Sequence, residues 1–249
     1  VTVSWNRNYG FEDSFEDYDD FATGVFGGWT TINNNVDPSY PIGLGSMTNI
    51  VRFPGCSTTS SMASVPPMVF NPHSTVPAMS ADAAILAPDG DKSVIFQGPQ
   101  QAVADKWLIS PQLSLYDGYE MSVLAKAYSI YPERLEFMIS TTGASPADFK
   151  VLDAVEPSSS EWTKYSISLD EYAGKEVYLA VHCVSVDGFI VQVDDFRVGR
   201  EGGEEVSAAG FVKSYDVTLD GESKGSTTET EIMFPALGKG DYNVGVRSV

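Results

Sequence analysis

The stretch Leu135-Glu136-Phe137-Met138-Ile139-Ser140 places Leu135, Phe137 and Ile139 on one face of an extended chain. Alternation of this kind over a short run predicts a half-buried β-strand. Clusters of Pro, Gly, Asp and Ser separate this run from others of similar character. Short strands spaced in this way predict an all-β fold, a sandwich or a barrel. The other runs are Met121–Ala127, Tyr165–Leu169, Val177–Val184 and Phe189–Val193.

The middle of the chain is less regular. Between Asn33 and Val103 the sequence is rich in Pro, Ser, Asn and Gly, which predicts long ordered loops. Met68–Phe70 and Val94–Gln97 are the two candidate strands within it. Helix-permissive stretches such as Ser14–Phe21 and Ser145–Phe149 are short, so they do not change the all-β prediction.

The two ends of the chain resemble strands of a fibronectin type III domain. Val1-Thr2-Val3-Ser4-Trp5-Asn6 is similar to an early strand, and Ser214–Gly221 to a later strand and turn. Thr228–Phe234 and Asp241–Val246 resemble closing strands. The C-terminal part is too short for a domain of about 100 residues. We therefore expect residues 1–8 and 201–249 to form one small β-sandwich, interrupted by an inserted domain, residues 9–200. A stray N-terminal strand beside a truncated C-terminal domain is the open alternative.

Composition excludes some classes of partner. The 249 residues include 34 acidic and 15 basic side chains, for a net charge of −19. Nucleic-acid binding depends on Lys and Arg, so no nucleic-acid partner is expected. The sequence has no apolar run of about 18 residues, so membrane insertion is not expected either. Most of the carboxylates are expected to serve solubility, and we expect a monomer.

Two cysteines give no disulfide framework. Cys183 lies in the apolar run Val177–Val184, which predicts a buried core thiol. Cys56 lies in a loop-like stretch, and a bond between the two cysteines stays open at this point.

The predicted insertion resembles the cleaved-adhesin, or choice-of-anchor, family of jelly-roll domains, known from the adhesin regions of gingipain proteases and from bacterial surface proteins. This resemblance implies a jelly-roll β-sandwich in an extracellular or cell-surface bacterial protein. One departure is Asn33-Asn34-Asn35, where relatives often carry acidic residues. The landmarks, in the order of the family, are Ser14–Asp17, Gly28–Thr30, Asp105–Pro111, Phe137–Gly143, Trp162-Thr163, Tyr172–Ala180 and Val193–Val198.

The pair Asp194-Asp195 follows an apolar strand and points to a cation site. Phe189, Val191 and Val193 share one phase of the strand, whereas the apolar residues after Asp195 continue in the other phase. Such a change of phase predicts a β-bulge, a feature that often re-aims side chains at sites. Two adjacent carboxylates also repel each other unless a cation neutralises them.

A second acidic run lies near the start of the predicted jelly roll, where Glu16 and Asp17 belong to a family landmark. If the first and last strands are neighbours, Glu16 and Asp195 converge on one ion. Ca²⁺ prefers six to eight oxygen ligands in a tolerant geometry. The sequence has no Asp-x-Asp-x-Asp-Gly loop, so no EF-hand is implied. The expected ligands of a structural Ca²⁺ are Glu16, Asp17, Asp105, Asp194 and Asp195.

No catalytic motif is recognisable, so we do not expect an enzyme. His182 and Cys183 are adjacent on a predicted strand and therefore point to opposite faces. His73 lies in a loop without a nucleophile motif nearby. Gly221–Gly225 matches Gly-x-Ser-x-Gly in spacing, but it follows a strand and turn predicted for a β-sandwich and not a strand-to-helix elbow. No His-Glu-x-x-His or phosphate-loop motif is present.

The leading functional hypothesis is an adhesion module that binds an extracellular protein or glycan. The alternatives are a carbohydrate-binding accessory of a hydrolase and a structural spacer or C-terminal region of a secreted cysteine peptidase. The aromatic residues divide into those expected to pack in the core and those that are candidates for contacts with a ligand. Trp29, Trp107 and Trp162 are expected in the core, and Tyr116, Tyr128 and Tyr131 are the better candidates for exposed contacts.

Overall fold

The structure is a computed structural model that describes residues 1–4, 10–35, 37–42, 50–54, 64–200, 215–229, 231–234 and 237–248. The chain divides into two units: Phe11–Gly199, and Val1–Gly10 together with Arg200–Val249. Over the described ranges the regular structure is β-strand and short 3-10 helix, with no α-helix. The predicted all-β fold is confirmed.

The strands correspond well to the alternating runs of the sequence. Each of the five predicted runs contributes a strand, and Met68–Phe70 in the irregular middle is a strand with the predicted bounds. In chain order the strands are β1 Thr2–Ser4, β2 Phe11–Asp13, β3 Val25–Phe26, β4 Trp29–Asn33, β5 Met68–Phe70, β6 Ser93–Gln97, β7 Lys106–Ile109, β8 Leu113–Ser114, β9 Glu120–Ala127, β10 Leu135–Ser140, β11 Lys150–Val155, β12 Thr163–Ser168, β13 Glu176–Cys183, β14 Ile190–Gly199, β15 Tyr215–Leu219, β16 Glu222–Thr227, β17 Glu231–Met233 and β18 Val244–Ser248.

The larger unit, Phe11–Gly199, consists of two antiparallel sheets. One has the order β11-β10-β13-β7-β4-β3, with β8 also pairing with β13. The other has the order β12-β9-β14-β6-β5, with β2 also pairing with β14. Inward-facing side chains of both sheets form one continuous apolar core, which includes Phe137 and Leu179 from the first sheet and Val123 and Val193 from the second.

The other face of the second sheet carries its own apolar cluster. Because strand side chains alternate, Val94 and Phe96 of β6 face the main core while Ile95 faces this cluster. Loop residues from the irregular middle of the chain complete it, among them Met79 and Ile85. The described parts of these long loops therefore pack on the sheet.

Strand β14 has the predicted irregularity at its acidic pair. Its register with β9 shifts between Asp194 and Arg197. Val193 lies before the shift and Phe196 after it, and both are fully buried in the core. The bulge thus allows the strand to bury apolar residues on both sides of two consecutive carboxylates.

The smaller unit has a three-stranded sheet of order β16-β15-β18 and a two-stranded pair, β1 with β17. Its core contains Val217, Leu219 and Phe234, with Val3 and Ile232 packed against them. Trp5 lies outside the described residues. The predicted domain organisation, with its fibronectin type III-like part, stays a prediction, because a division into two units does not identify a fold family.

Within the part of the chain that the structure describes, helical structure is restricted to single turns. Ser14–Phe21 forms turns and bends, while Ser145–Phe149 contains the 3-10 helix Pro146–Asp148. None of the helices in the described ranges has the length and apolar character to cross a membrane. Cys183 is a buried free thiol, and Cys56 lies outside the described residues.

Candidate calcium site

The bulge of β14 buries one carboxylate and turns the next. Asp194 is only 1% exposed. Asp195 has φ +50°, a region that residues other than glycine seldom adopt. The backbone N–H of Asp195 donates to Oδ1 of Asp194 at 2.6 Å. No other described residue donates a hydrogen bond to this buried carboxylate.

The surroundings of Asp194 disfavour its negative charge. Burial is the largest cause that raises the pKa of Asp194, to about 8, and the neighbouring carboxylates of Asp195, Glu16 and Asp89 raise it further. The hydrogen bond from Asp195 acts in the opposite direction. A cation close to a buried carboxylate favours the charged form. Three further carboxylates around Asp194 therefore define a place where a cation would be stabilised.

Glu16 joins this place to a distant part of the chain. Its Oε1 accepts hydrogen bonds from the backbone N–H groups of Asp91, at 3.0 Å, and Lys92, at 2.8 Å. The ammonium group of Lys92 in turn donates to the carbonyl oxygens of Glu16 and Tyr18, at 2.9 and 2.6 Å. The 89–92 segment, Asp89-Gly90-Asp91-Lys92, is thereby fixed against the turn that follows β2.

Gly90 makes this approach possible. It has φ +65°, and a Cβ at this position would overlap Oε1 of Glu16. Any other residue would have to displace the Glu16 carboxylate as well as adopt a strained backbone conformation.

Asp13 has a different role in the same area. Its Oδ1 accepts the backbone N–H of Phe15 at 2.8 Å, and its Oδ2 accepts Nε1 of Trp29 at 2.7 Å and the hydroxyl of Tyr18. Burial and the bond to Asp13 raise the pKa of Tyr18. With three donors on its two oxygens, Asp13 holds the turn after β2 in place.

Asp195 is paired with Arg197, two residues further along β14. Nε and Nη2 of Arg197 both donate to Oδ1 of Asp195, at 2.9 and 2.8 Å. Nη1 of Arg197 lies 3.9 Å from Oε2 of Glu12 on the neighbouring strand β2.

These elements border a cleft of about 470 Å³. Six carboxylates and one guanidinium group line it, so its charge is strongly negative. The lining residues are Phe11, Glu12, Asp13, Ser14, Glu16, Asp17, Tyr18, Asp89, Asp195 and Arg197.

The structure brings together four of the five predicted ligands. Glu16, Asp17 and Asp195 line the cleft, and Asp194 is buried close enough to Glu16 and Asp195 for their charges to raise its pKa. Asp89 belongs to the same group, and sequence reasoning does not find it because it lies in the irregular middle of the chain, far from Glu16. As the side chains stand, no three Asp, Glu, His or Cys residues in the described ranges are grouped closely enough to hold one metal ion.

Asp105 lies in another environment. Its Oδ1 accepts a hydrogen bond from Nε1 of Trp107 at 2.6 Å and is 3.0 Å from Nε2 of His182. These hydrogen bonds are among the causes that lower the pKa of Asp105, against the effect of its partial burial. Because the side chains that Asp105 contacts in this way do not line the acidic cleft, we leave Asp105 out of the candidate site.

Comparisons with known proteins give fold similarity only. No protein-family model and no curated protein matches the sequence. Among solved structures, the K2 cleaved adhesin domain of Lys-gingipain is similar with a TM-score of 0.51 and 18% identity, over 76% of this chain and 98% of that one. The chain has the cleaved-adhesin fold.

Two further similar structures have TM-scores below 0.5, so the fold assignment does not rest on them. The K3 cleaved adhesin domain of Lys-gingipain from Porphyromonas gingivalis has a TM-score of 0.48 and 16% identity, over 80% of this chain and 98% of that one. TmCBM61, solved in complex with β-1,4-galactotriose, has a TM-score of 0.43 and 15% identity, over 80% of this chain and 99% of that one.

Three of the sequence landmarks coincide with strands of the two sheets. Asp105–Pro111 contains β7, Phe137–Gly143 contains most of β10, and Val193–Val198 lies within β14. β7 and β10 both pair with β13 in the first sheet, while β14 is central in the second. These three landmarks therefore lie on strands that contribute side chains to the main core.

Within the cleaved-adhesin fold the three described tryptophans occupy different environments. Trp29 is fully buried in the main core, as predicted. Trp107 is 4% exposed and packs in a smaller cluster with Ile109 and Met138. Trp162 is only half-buried, so its predicted core position is wrong. Its ring lies 4.7 Å from Nζ of Lys126, and its Nε1 donates to the carbonyl oxygen of Leu86.

Of the three tyrosines predicted as exposed contacts, Tyr131 is 71% exposed. Its neighbour Ile130 is 82% exposed. Tyr128 instead donates to Asp82 at 2.6 Å and packs edge-on against Phe189. Tyr116 packs against the main core, beside Tyr119. Of these three, Tyr131 alone has the exposed position expected from the sequence.

The side chains of the two histidines lie in different surroundings from the Cys183 thiol. Cys183 faces the main core, whereas His182 faces the other side of the sheet and stacks on Trp107 at 3.7 Å between ring centres. The predicted opposition of these two side chains is confirmed. His73 lies 3.5 Å from Asp91 on the surface.

Proposed function

We propose that this chain is a non-catalytic extracellular binding module in which Ca²⁺, held at the acidic cleft, stabilises the jelly roll. The observation that carries the proposal is Asp194, a carboxylate 1% exposed, with one hydrogen bond and a pKa raised to about 8 by burial and neighbouring carboxylates. A divalent cation would neutralise this group without a change of fold.

The residues that would hold the ion are Asp194, Glu16, Asp195 and Asp89, together with Asp17, which lines the same cleft. Both backbone donors to Glu16 bind Oε1, which leaves Oε2 without a hydrogen bond from the described residues. Ca²⁺ accepts backbone carbonyl oxygens as well as carboxylates, so these side chains need supply only part of its coordination. When bound, the ion supplies charge neutralisation and cross-links strand β14, the turn after β2 and the 89–92 segment.

A binding role fits the fold better than catalysis does. The K2 domain with the same fold is named as a cleaved adhesin domain. A jelly roll presents loops at its ends, and loops on a rigid scaffold are where recognition residues concentrate. Ile130 and Tyr131 are exposed apolar residues on such a loop, between β9 and β10. We propose an extracellular protein or glycan as the ligand and a monomer as the binding form.

The experiment is a binding screen of the full chain against arrayed glycans and extracellular proteins, with calcium and with EDTA. The matched variants are Asp194→Asn and Asp153→Asn. Each of these carboxylates accepts the backbone N–H of the following residue on a strand, but the Asp153 bond lies on the exposed surface.

We expect one ligand class to be captured in calcium and lost in EDTA and in Asp194→Asn, with Asp153→Asn unchanged. Capture of glycans alone would favour a carbohydrate-binding accessory. Absence of any capture by a folded chain would contradict the binding role and favour a structural spacer.

A further inference from the structure

Arg197 is the one basic side chain among the residues that line the acidic cleft. Its side chain is partly exposed but engaged by two carboxylates. Nε and Nη2 both donate to Oδ1 of Asp195, and Nη1 approaches Glu12. The guanidinium group therefore forms an ion pair with Asp195, one of the carboxylates proposed to bind Ca²⁺.

Six carboxylates line the cleft, yet the described residues form no ready group of three ligands, and this pairing engages one of the six, Asp195. Asp195 follows the bulge and has φ +50°, and its side chain is drawn along β14 towards Arg197. Asp194, the preceding residue, is buried on its own hydrogen bond. A cation that belongs to the chain thus pairs with Asp195, whereas the hydrogen bond printed for Asp194 comes from the backbone N–H of Asp195.

We propose that Arg197 is an internal competitor of Ca²⁺ and sets the affinity of the site. This inference rests on the proposed calcium function. An ion that uses Asp195 exchanges the Arg197–Asp195 contacts for Ca²⁺–oxygen contacts, and the displaced guanidinium then remains as a repelling positive charge nearby.

Exchange is feasible because the pair is exposed. The side chains of Arg197 and Asp195 are 55% and 36% exposed, and exposed ion pairs contribute little to stability. A divalent ion has the stronger attraction for the remaining carboxylates of the cleft. The competition therefore weakens binding without preventing it, which suits a module filled at extracellular calcium concentrations, with Kd in the range of about 10⁻⁴ to 10⁻³ M.

The test is calorimetric titration of the full chain with calcium chloride, comparing the natural sequence with Arg197→Gln. Arg134→Gln is the matched control, because Arg134 also pairs with two carboxylates, Glu136 and Glu156, and is similarly exposed. Arg197→Lys keeps the charge but loses the two-donor contact, and circular dichroism checks that each variant is folded.

We expect Arg197→Gln to tighten calcium binding by about tenfold, the scale expected when one nearby like charge is removed. Arg197→Lys should fall between, and Arg134→Gln should leave the Kd unchanged. An unchanged or weaker affinity in folded Arg197→Gln would overturn this inference while leaving calcium binding intact. Absence of binding by the natural sequence would overturn the proposed calcium site itself.

Discussion

Lys106 is fully buried at the start of β7, and its ammonium group donates to the carbonyl oxygen of Val65 at 2.5 Å. Burial lowers the pKa of Lys106 to about 8. A lysine whose pKa is lower in the folded state than in the unfolded state reduces the stability of the protein as long as it is charged. A pKa lowered from 10.5 to about 8 corresponds to about 3 kcal/mol.

Replacement of this lysine should therefore stabilise the protein. We expect Lys106→Met to raise the free energy of unfolding by about 1 to 3 kcal/mol at pH 7, since it removes a buried charge and keeps the volume. Because folded Lys106 binds fewer protons than unfolded Lys106 between pH 8 and 10.5, the contribution of this lysine to stability rises with pH through that window. The variant should gain less stability over the same window, because the contribution of Lys106 is lost. Lys126, whose pKa is also about 8, still contributes in both proteins.

Urea denaturation at pH 7 and pH 10 measures both effects. Lys164→Met is the control, since Lys164 is 51% exposed and forms a loose pair with Glu120 at 3.8 Å. A Lys106→Met protein that is less stable at pH 7, with the same pH dependence as the natural sequence, would show that burial of this charge carries no penalty.

Single residues of the candidate site are predictable where the local pattern is unusual. Asp194 and Asp195 stand out because two acids interrupt an apolar strand and the phase changes after them. Asp89 gives no such signal, because its role depends on a long loop returning to the turn after β2. Asp105 is suggested by its place in a family landmark, but it pairs with Trp107 and His182 instead.

The 89–92 segment is the element that closes the site from the loop side. Its backbone donors bind Glu16, and Gly90 provides the close approach. Gly174 has a similar backbone, φ +77°, but a Cβ there would meet nothing within 4 Å. Substitution of Gly174 would therefore cause backbone strain alone, whereas substitution of Gly90 would also displace the Glu16 carboxylate.

We expect Gly90→Ala to lower the melting temperature and to weaken calcium binding, since its Cβ forces the Glu16 carboxylate away. Gly174→Ala should show the strain alone, about 1 to 2 kcal/mol, with unchanged calcium affinity. Thermal melting and calcium titration of both variants test this. Equal effects of the two substitutions on calcium affinity would argue against a role for the 89–92 segment in the site.

Strands are easier to predict than the loops that cover them. Period-two alternation reports directly on burial of one sheet face, which is why β9, β10 and β13 are recognisable in the sequence. The cover on the outer face of the second sheet depends on contacts between distant residues. Lys126 donates to the carbonyl oxygen of Leu86, and Gln192 to that of Ala84. No local pattern encodes such pairings, and the position of Trp162 is unpredictable for the same reason.

At the scale of the whole molecule, a net charge of −19 acts against compactness. Part of that charge is concentrated at one cleft of the jelly-roll unit, where six carboxylates lie around one guanidinium. A bound divalent cation would relieve this repulsion and link three separate stretches of the unit. This chain thus combines a well-packed sandwich core with a cleft that is unfavourable for its own carboxylates.

Calorimetric titration with calcium chloride, on the natural sequence, Asp194→Asn and the exposed control Asp153→Asn, tests the proposed calcium site most directly. We predict that the natural sequence and Asp153→Asn bind Ca²⁺ and melt at a higher temperature with it, whereas Asp194→Asn does neither. Absence of binding by the natural sequence, or equal binding by folded Asp194→Asn, would contradict a calcium site built on the buried carboxylate of β14.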